Sequence, residues 1–147
     1  MYQNLVRVAA AVPLVKVADC KENSERILGL IRQADSAGVE IVCFPELSVT
    51  AYTCADLFLN SSFVAQAERA LAFLLLQTED LNIVSIVGMP VAADNRLFNC
   101  AVAFQRGKIL GVVPKSYLPN SNEFYEYRWF ASGLGLAPKD ITLAGQQ

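Results

Sequence analysis

The sequence contains no histidine, which removes several kinds of catalytic site at once. Residues 1–147 cannot form a Ser-His-Asp or Cys-His site on their own. The four cysteines, which are Cys20, Cys43, Cys54 and Cys100, show no C-x-x-C spacing. Because there is also no histidine to complete a ligand set, we expect no zinc or other metal site. Any general base must therefore be a carboxylate, a lysine, a tyrosine or a thiolate.

The chain also lacks basic clusters and long apolar runs. Its net charge of −2 argues against nucleic acid and against an anionic membrane surface as partners. No apolar run approaches the ~18–20 residues of a membrane span, and the N-terminus shows no signal-peptide pattern. These features indicate a soluble, cytoplasmic protein with reduced thiols.

Hydrophobic residues, in contrast, are abundant. They make up 54% of the 147 residues, against about 45–50% in an average domain, and the length suits one domain. The excess indicates apolar surface that is meant to be covered. We therefore expect a homo-oligomer that associates through apolar sheet and loop surfaces.

The hydrophobic pattern predicts an α/β fold with the element order β-α-β-α-β-β-β and both helices on one side of a mixed sheet. Helices are predicted between Asp19 and Gly38 and over 63–78. Strands are predicted over 5–12, 41–44, 83–89, 97–104 and 108–113. Proline should end the strands at Pro45 and Pro90, and Cys43 should be a small core residue.

Residues 45–62 lack clear periodicity, apart from a possible helical turn at Ala55–Leu59. A long irregular stretch inside a compact domain is usually either functional or disordered. This one is too apolar for disorder, so we predict an ordered, functional loop.

Charged residues follow two predicted strands immediately after a proline, in Phe44-Pro45-Glu46 and in Val113-Pro114-Lys115. If both strands end at the same edge of one sheet, Glu46 and Lys115 face each other there. A partly desolvated carboxylate can take a proton from a nucleophile, and a neighbouring lysine can stabilise an oxyanion. The pair lacks a nucleophile.

Three segments resemble the nitrilase, or carbon–nitrogen hydrolase, superfamily across roughly residues 3–135. They are Phe-Pro-Glu-Leu-Ser-Val-Thr-Ala-Tyr, Pro-Lys-Ser-Tyr-Leu-Pro-Asn and Asn-Glu-Phe-Tyr-Glu-Tyr-Arg-Trp-Phe. The run Tyr-Thr-Cys-Ala-Asp-Leu-Phe is particularly like the glutaminase domain of glutamine-dependent NAD⁺ synthetases. The resemblance implies an α-β-β-α sandwich of which residues 1–147 form the first half.

The superfamily hydrolyses amides with a Glu-Lys-Cys triad, and the resemblance assigns roles residue by residue. Glu46 matches the general base, Lys115 the lysine that stabilises the intermediate, and Glu123 a second glutamate near the triad. Tyr52 resembles an aromatic residue of the substrate pocket. In the superfamily the nucleophilic cysteine follows the lysine in sequence. No residue here matches it, because no cysteine follows Cys100. We therefore expect an N-terminal fragment, inactive alone, that lacks the second half-domain and a synthetase domain.

The resemblance further implies glutamine as the substrate and ammonia as a product used to amidate deamido-NAD⁺. ATP and Mg²⁺ would belong to the missing synthetase domain, and this domain would need no cofactor. Two alternatives remain open: a stand-alone nitrilase-family amidase or carbamoylase, and a non-catalytic oligomerisation module. At residue level, Glu46 can also be a solvated loop residue, and Glu123 can cap a helix that starts near Phe124.

Overall fold

The computed structural model describes residues 5–147. The first residues of the predicted 1–147 domain, and the start of the 3–135 resemblance, lie outside this range. The strands are β1 (Val8–Ala10), β2 (Ile41–Cys43), β3 (Val84–Ala93), β4 (Arg96–Gln105) and β5 (Lys108–Pro114). The α-helices are α1 (Cys20–Ser36) and α2 (Ser61–Gln77), and short 3-10 helices span Ala55–Leu59 and Glu126–Arg128.

The strands form one mixed sheet in the order β1-β2-β3-β4-β5. β1, β2 and β3 run parallel, because helical crossovers connect them, whereas β3, β4 and β5 are antiparallel and joined by tight turns. The predicted element order and α/β class are confirmed. The predicted helical turn at Ala55–Leu59 is present as a 3-10 helix.

Local capping sets the helix bounds. The Asp19 side chain accepts a hydrogen bond from the Glu22 N–H at 3.1 Å, and Gly38 follows the helix end at φ +72. The predicted second helix begins earlier than expected, at Ser61, because the Asn60 side chain caps the N–H of Ser62 at 2.9 Å. Within residues 5–147 no helix is both long and apolar enough to cross a membrane.

The helices cover one face of the sheet and leave the other open. Side chains on successive strand residues point to opposite faces, so the buried Val42 and Val102 alternate with the exposed Cys43 and Ala101. Two predictions were therefore wrong. Cys43 is exposed rather than a core residue, and residues 5–12 do not form a buried strand, since β1 is short and Val8 faces the open side.

Pro90 does not end β3, contrary to the sequence-based prediction; it lies inside the strand and is paired with Asn99. The reason is the side to which its nitrogen points. The N–H of Gly88, two residues earlier, donates to the Ser48 hydroxyl at 3.2 Å, away from β4. The nitrogen of Pro90 points to the same side, so its missing N–H removes no hydrogen bond with β4.

Candidate active site

Glu46 lies in a tight turn that begins where β2 ends. The N–H of Ser48 donates to the Pro45 carbonyl at 3.2 Å, and Leu47 adopts a positive φ of 51° although it is not glycine. The turn packs directly on Gly88 of β3, where a Cβ atom would be 2.3 Å from the Leu47 nitrogen. Glycine at position 88 thus permits the close backbone approach that places Glu46.

Lys115 is fixed by main-chain contacts on both sides. Its N–H donates to the Asn99 carbonyl at 2.8 Å, which continues the β4–β5 ladder past Pro114. Its carbonyl accepts from the N–H of Gly133 at 2.9 Å. A Cβ on Gly133 would be 2.7 Å from the Pro114 oxygen, so a second glycine packs beside the second charged residue.

The Lys115 ammonium lies between two carboxylates. Its Nζ is 2.7 Å from Glu46 Oε1 and 3.0 Å from Glu126 Oε1. The Lys115 side chain is 27% exposed and that of Glu126 only 1%. Burial by itself lowers the pKa of Lys115, but hydrogen bonds to Glu46 and Glu126 outweigh it and raise this pKa above its ordinary value.

Glu126 connects this cluster to the loop that follows β2. The Tyr52 hydroxyl donates to Glu126 Oε1 at 2.6 Å, the same oxygen that Lys115 contacts. Within residues 5–147, the buried Oε2 of Glu126 has no hydrogen-bond partner. Burial, the hydrogen bond to Glu126 and the charge of that residue all raise the pKa of Tyr52.

The raised pKa of Tyr52 predicts a pH-dependent contribution to stability. Because the folded protein favours the protonated phenol, this contribution is fully present below the unfolded value near pH 10 and is lost as the pH rises toward the folded value. We expect Tyr52→Phe to lower the free energy of unfolding by about 1–3 kcal/mol at pH 7 and by clearly less at pH 11.

Urea unfolding of wild type and variant at both pH values measures this difference. Tyr117→Phe is the matched control, because Tyr117 is exposed, and it should change stability little at either pH. A Tyr52→Phe difference that is the same at pH 7 and pH 11 would contradict the expectation.

The structure brings Glu46, Lys115 and Tyr52 together but not Glu123. The carboxylate in contact with Lys115 is Glu126, three positions further along the chain. Glu123 is exposed and, within the described chain, forms no hydrogen bond or ion pair. It lines a shallow pocket next to the cluster together with Tyr52, Thr53, Ala55, Phe124, Tyr125 and Trp129. A wider groove between α1 and α2 contains no residue of the charged cluster.

Sequence reasoning missed two residues of the site, Glu126 and Asn99, whose Nδ2 donates to Glu46 Oε1. Each had a signal. Glu126 lies four positions before the buried Phe130, and in a helical turn such residues share a face. Asn99 is a single amide inside the apolar strand Phe-Asn-Cys-Ala-Val, where a buried polar group needs a partner.

A clamp, formed by Asp56, Arg128 and Trp129, joins the loop after β2 to the segment that carries Glu126. Both guanidinium contacts from Arg128 to Asp56 are 2.6 Å, and the indole N–H of Trp129 donates to Asp56 at 2.9 Å. Beneath it, the buried Phe58 packs against Trp129 and Phe130, with ring centroids 5.8 and 4.9 Å apart. The clamp and this aromatic packing hold Tyr52 and Glu126 on adjacent segments.

No cysteine of the described chain is in hydrogen-bond contact with Glu46 or Lys115. The Cys54 thiol donates to the Thr50 carbonyl at 3.0 Å, and burial raises its pKa. Burial also raises the pKa of Cys20 to about 11 and that of Cys100 to about 12. The charged cluster thus places a carboxylate and an ammonium in contact, and none of these thiols joins them.

Residues 5–144 match the family model described as carbon-nitrogen hydrolase. This chain belongs to the carbon–nitrogen hydrolase family. Glu46 and Lys115 both lie within the matched range.

Among curated relatives of this carbon–nitrogen hydrolase chain is the glutamine-dependent NAD(+) synthetase of Mycobacterium tuberculosis. It is 40% identical over 135 residues, which cover 91% of this chain and 20% of that protein. The synthetase of Aquifex aeolicus is 34% identical over 117 residues, again with 20% of its length covered. The chain therefore spans about one fifth of the length of these curated relatives.

Solved structures show the same relationship. A glutamine-dependent NAD(+) synthetase from Cytophaga hutchinsonii superposes with a TM-score of 0.81 at 31% identity, covering 86% of this chain and 22% of that one. An amidase from Nesterenkonia sp. has a TM-score of 0.77 at 20% identity, and the match covers 95% of this chain and 52% of the amidase. The latter likeness concerns the fold.

Proposed function

We propose that residues 1–147 are the first half of a domain that hydrolyses the side-chain amide of glutamine within a longer, glutamine-dependent NAD⁺ synthetase. The observation that carries the proposal is the Lys115 ammonium, 2.7 Å from Glu46 and 3.0 Å from the buried Glu126. The synthetases at 40% and 34% identity support glutamine as the amide substrate.

In this mechanism Glu46 takes the proton of a cysteine thiol that lies outside residues 1–147, and the thiolate attacks the amide carbon. The Lys115 ammonium stabilises the resulting oxyanion. The carbon–nitrogen bond breaks, Glu46 returns the proton to the leaving nitrogen, and ammonia departs from a glutamyl thioester. Water, deprotonated by Glu46, then attacks the thioester, which releases glutamate and regenerates the thiol.

Glu126 and Tyr52 support the lysine in this scheme. Glu126 contacts the Lys115 ammonium at 3.0 Å as a second carboxylate beside Glu46, and the Tyr52 hydroxyl anchors the Glu126 carboxylate at 2.6 Å. Glu123 retains a proposed place near the substrate, in the shallow pocket that it lines with Tyr52 and Phe124. Metal is not required for this step, since the proton acceptor and the cation are both side chains.

The rest of the proposed enzyme would supply what this half-domain does not contain. A second sheet carrying the nucleophile would cover the open sheet face around Cys43, Ala101 and Val113. A synthetase domain would bind ATP and Mg²⁺ and use the ammonia to amidate deamido-NAD⁺. We place such an enzyme in the cytoplasm and expect it to be a homo-oligomer, for which exposed aromatic residues such as Tyr117 and Tyr127 offer contact surface.

The test of the proposed function measures glutamate release from glutamine by the full-length protein. Glu46→Gln should lower kcat by about 10²–10⁴-fold, and Lys115→Met should lower it by about 10²–10³-fold. Cys54→Ser is the control and should leave kcat unchanged, because Cys54 is buried outside the charged cluster. Hydrolysis of other amides without hydrolysis of glutamine would contradict glutamine as the substrate.

Residues 1–147 alone provide a second test, with a diazoketone analogue of glutamine that alkylates active-site thiols. We expect no labelling by the analogue, because the buried thiols have raised pKa values and the exposed Cys43 makes no hydrogen bond with Glu46 or Lys115. Iodoacetamide is the control and should modify the exposed Cys43 first. Labelling of Cys54 by the analogue would overturn the view that the nucleophile lies elsewhere.

A further inference from the structure

Asn99 contacts both charged residues of the site, through different groups. Its side-chain Nδ2 donates to Glu46 Oε1, and its main-chain carbonyl accepts from the Lys115 N–H at 2.8 Å. The residue is 3% exposed and sits within β4, between Phe98 and Cys100. One rigid strand position therefore contacts the Glu46 carboxylate and the Lys115 backbone.

The orientation of the amide follows from chemistry. A carboxylate oxygen only accepts hydrogen bonds, so the group that Asn99 presents to Glu46 must be its NH₂. Glu46 Oε1 thus receives two donors, the Asn99 amide and the Lys115 ammonium. Its Oε2 has no hydrogen-bond partner in residues 5–147, and the Glu46 side chain is 41% exposed.

We propose that Asn99 is a positioning residue that holds Glu46 through Oε1, so that Oε2 is the oxygen available to accept a proton. Only the role of Oε2 rests on the proposed function; the positioning of Glu46 against Lys115 does not. Asn99 also fixes the distance between the two charged groups, because the strand that bears its amide also pairs with the backbone of Lys115. Loss of the amide leaves that pairing intact and releases Glu46.

The measurable consequence is the pKa of Lys115, which the Glu46 carboxylate helps to raise. Asn99→Ala frees Glu46 and should lower the pKa of Lys115 by about 0.5–1 unit. Asn99→Asp places another negative charge beside the ammonium and should raise the pKa of Lys115 by a similar amount. The rise in Asn99→Asp reports only that position 99 lies near the ammonium, whereas the fall in Asn99→Ala is not expected of a residue that merely fills space.

The experiment is an NMR titration of the Lys115 side-chain nitrogen in residues 1–147. It includes both Asn99 variants, Glu46→Ala, and the double variant Asn99→Ala/Glu46→Ala. In the Glu46→Ala background, Asn99→Ala should shift the pKa of Lys115 no further, because the effect acts through Glu46. Asn82→Asp is the control: Asn82 is exposed beside the start of β3 and makes its side-chain contact with Arg106.

An unchanged Lys115 pKa in folded Asn99→Ala would overturn the inference, as would an equal shift in the presence and absence of Glu46. If Asn99→Ala does not fold, Asn99→Leu, which keeps the branched shape of asparagine and also lacks the amide donor, takes its place with the same expected fall in the pKa of Lys115. The titration needs no activity, so failure of glutamine hydrolysis leaves it valid. In an active full-length enzyme, Asn99→Ala should reduce kcat about 10–10²-fold, with a KM close to that of the wild type.

Discussion

Gly88→Ala should move Glu46 away from Lys115 and lower the free energy of unfolding by about 3 kcal/mol. The added Cβ would be 2.3 Å from the Leu47 nitrogen and 2.7 Å from the Pro45 oxygen. These are main-chain atoms of a turn, so they cannot avoid the methyl group by changing rotamer. The turn itself must shift, and Glu46 lies at its centre.

Two measurements on residues 1–147 check this prediction, urea unfolding and an NMR titration of Lys115. When the turn shifts, the pKa of Lys115 should fall toward its ordinary value of 10.5, because the Glu46 carboxylate no longer contacts it. Gly111→Ala is the matched control. Gly111 is also a strand glycine, but a Cβ there would meet nothing within 4 Å.

We expect Gly111→Ala to leave the pKa of Lys115 unchanged and to alter stability by less than about 1 kcal/mol. If Gly88→Ala changes stability and the pKa of Lys115 as little as Gly111→Ala does, the turn can accommodate the added methyl group and the prediction is wrong. A loss of stability with an unchanged pKa of Lys115 would show that Gly88 supports packing without positioning Glu46.

The sequence was most informative where structure depends on neighbouring residues. The element order followed from hydrophobic period and capping. Asp94-Asn95 and Arg106-Gly107 form turns with positive φ at both central residues, as two-residue hairpins of type I′ require. Pro-Glu and Pro-Lys each follow an apolar strand directly, which predicted that Glu46 and Lys115 face each other if both strands end at the same edge of the sheet.

Features that depend on distant parts of the chain were not accessible in this way. Cys43 occupies an apolar strand, which the pattern alone cannot distinguish from a strand covered on both faces. Pro90 is tolerated because its nitrogen faces the loop after β2, and this contact involves residues some forty positions earlier. Gly88 is an unremarkable glycine in the sequence until that loop packs on it.

The choice between two glutamates shows the same limit at the site. Glu123 and Glu126 lie in one aromatic segment, Glu-Phe-Tyr-Glu, with similar local surroundings. Tyr52, from a different part of the chain, forms a hydrogen bond with Glu126, and the clamp of Asp56, Arg128 and Trp129 orients the short helix that contains it. Tertiary contacts therefore decide which of the two glutamates contacts Lys115, although the i, i+4 relation of Glu126 to the buried Phe130 was a usable local signal.

This pair of glutamates yields the second large effect. Glu126→Gln should lower the free energy of unfolding by about 2 kcal/mol, because it removes one partner of a buried ion pair. Removing one partner of a fully buried ion pair usually costs about 3–5 kcal/mol. We expect a smaller cost here, because Lys115 is 27% exposed and keeps Glu46 as a partner. Urea unfolding at pH 7 measures it.

The pKa values of the two neighbours provide a sharper readout than stability. Without the negative charge of Glu126, the pKa of Tyr52 and that of Lys115 should both fall, because that charge and its hydrogen bonds raise them. Absorbance of the tyrosinate during an alkaline titration reports on Tyr52, and NMR reports on Lys115. Glu123→Gln is the matched control, since it makes the same chemical change on an exposed side chain three residues earlier.

Glu123→Gln should change stability by less than about 0.5 kcal/mol and leave the Lys115 titration in place. Equal effects of the two substitutions would contradict the assignment of Glu126 as the carboxylate that holds the lysine. Combining Glu126→Gln with Tyr52→Phe distinguishes a network from separate contacts. Because Tyr52 and Lys115 share one oxygen of Glu126, the double variant should lose less stability than the two single variants lose together.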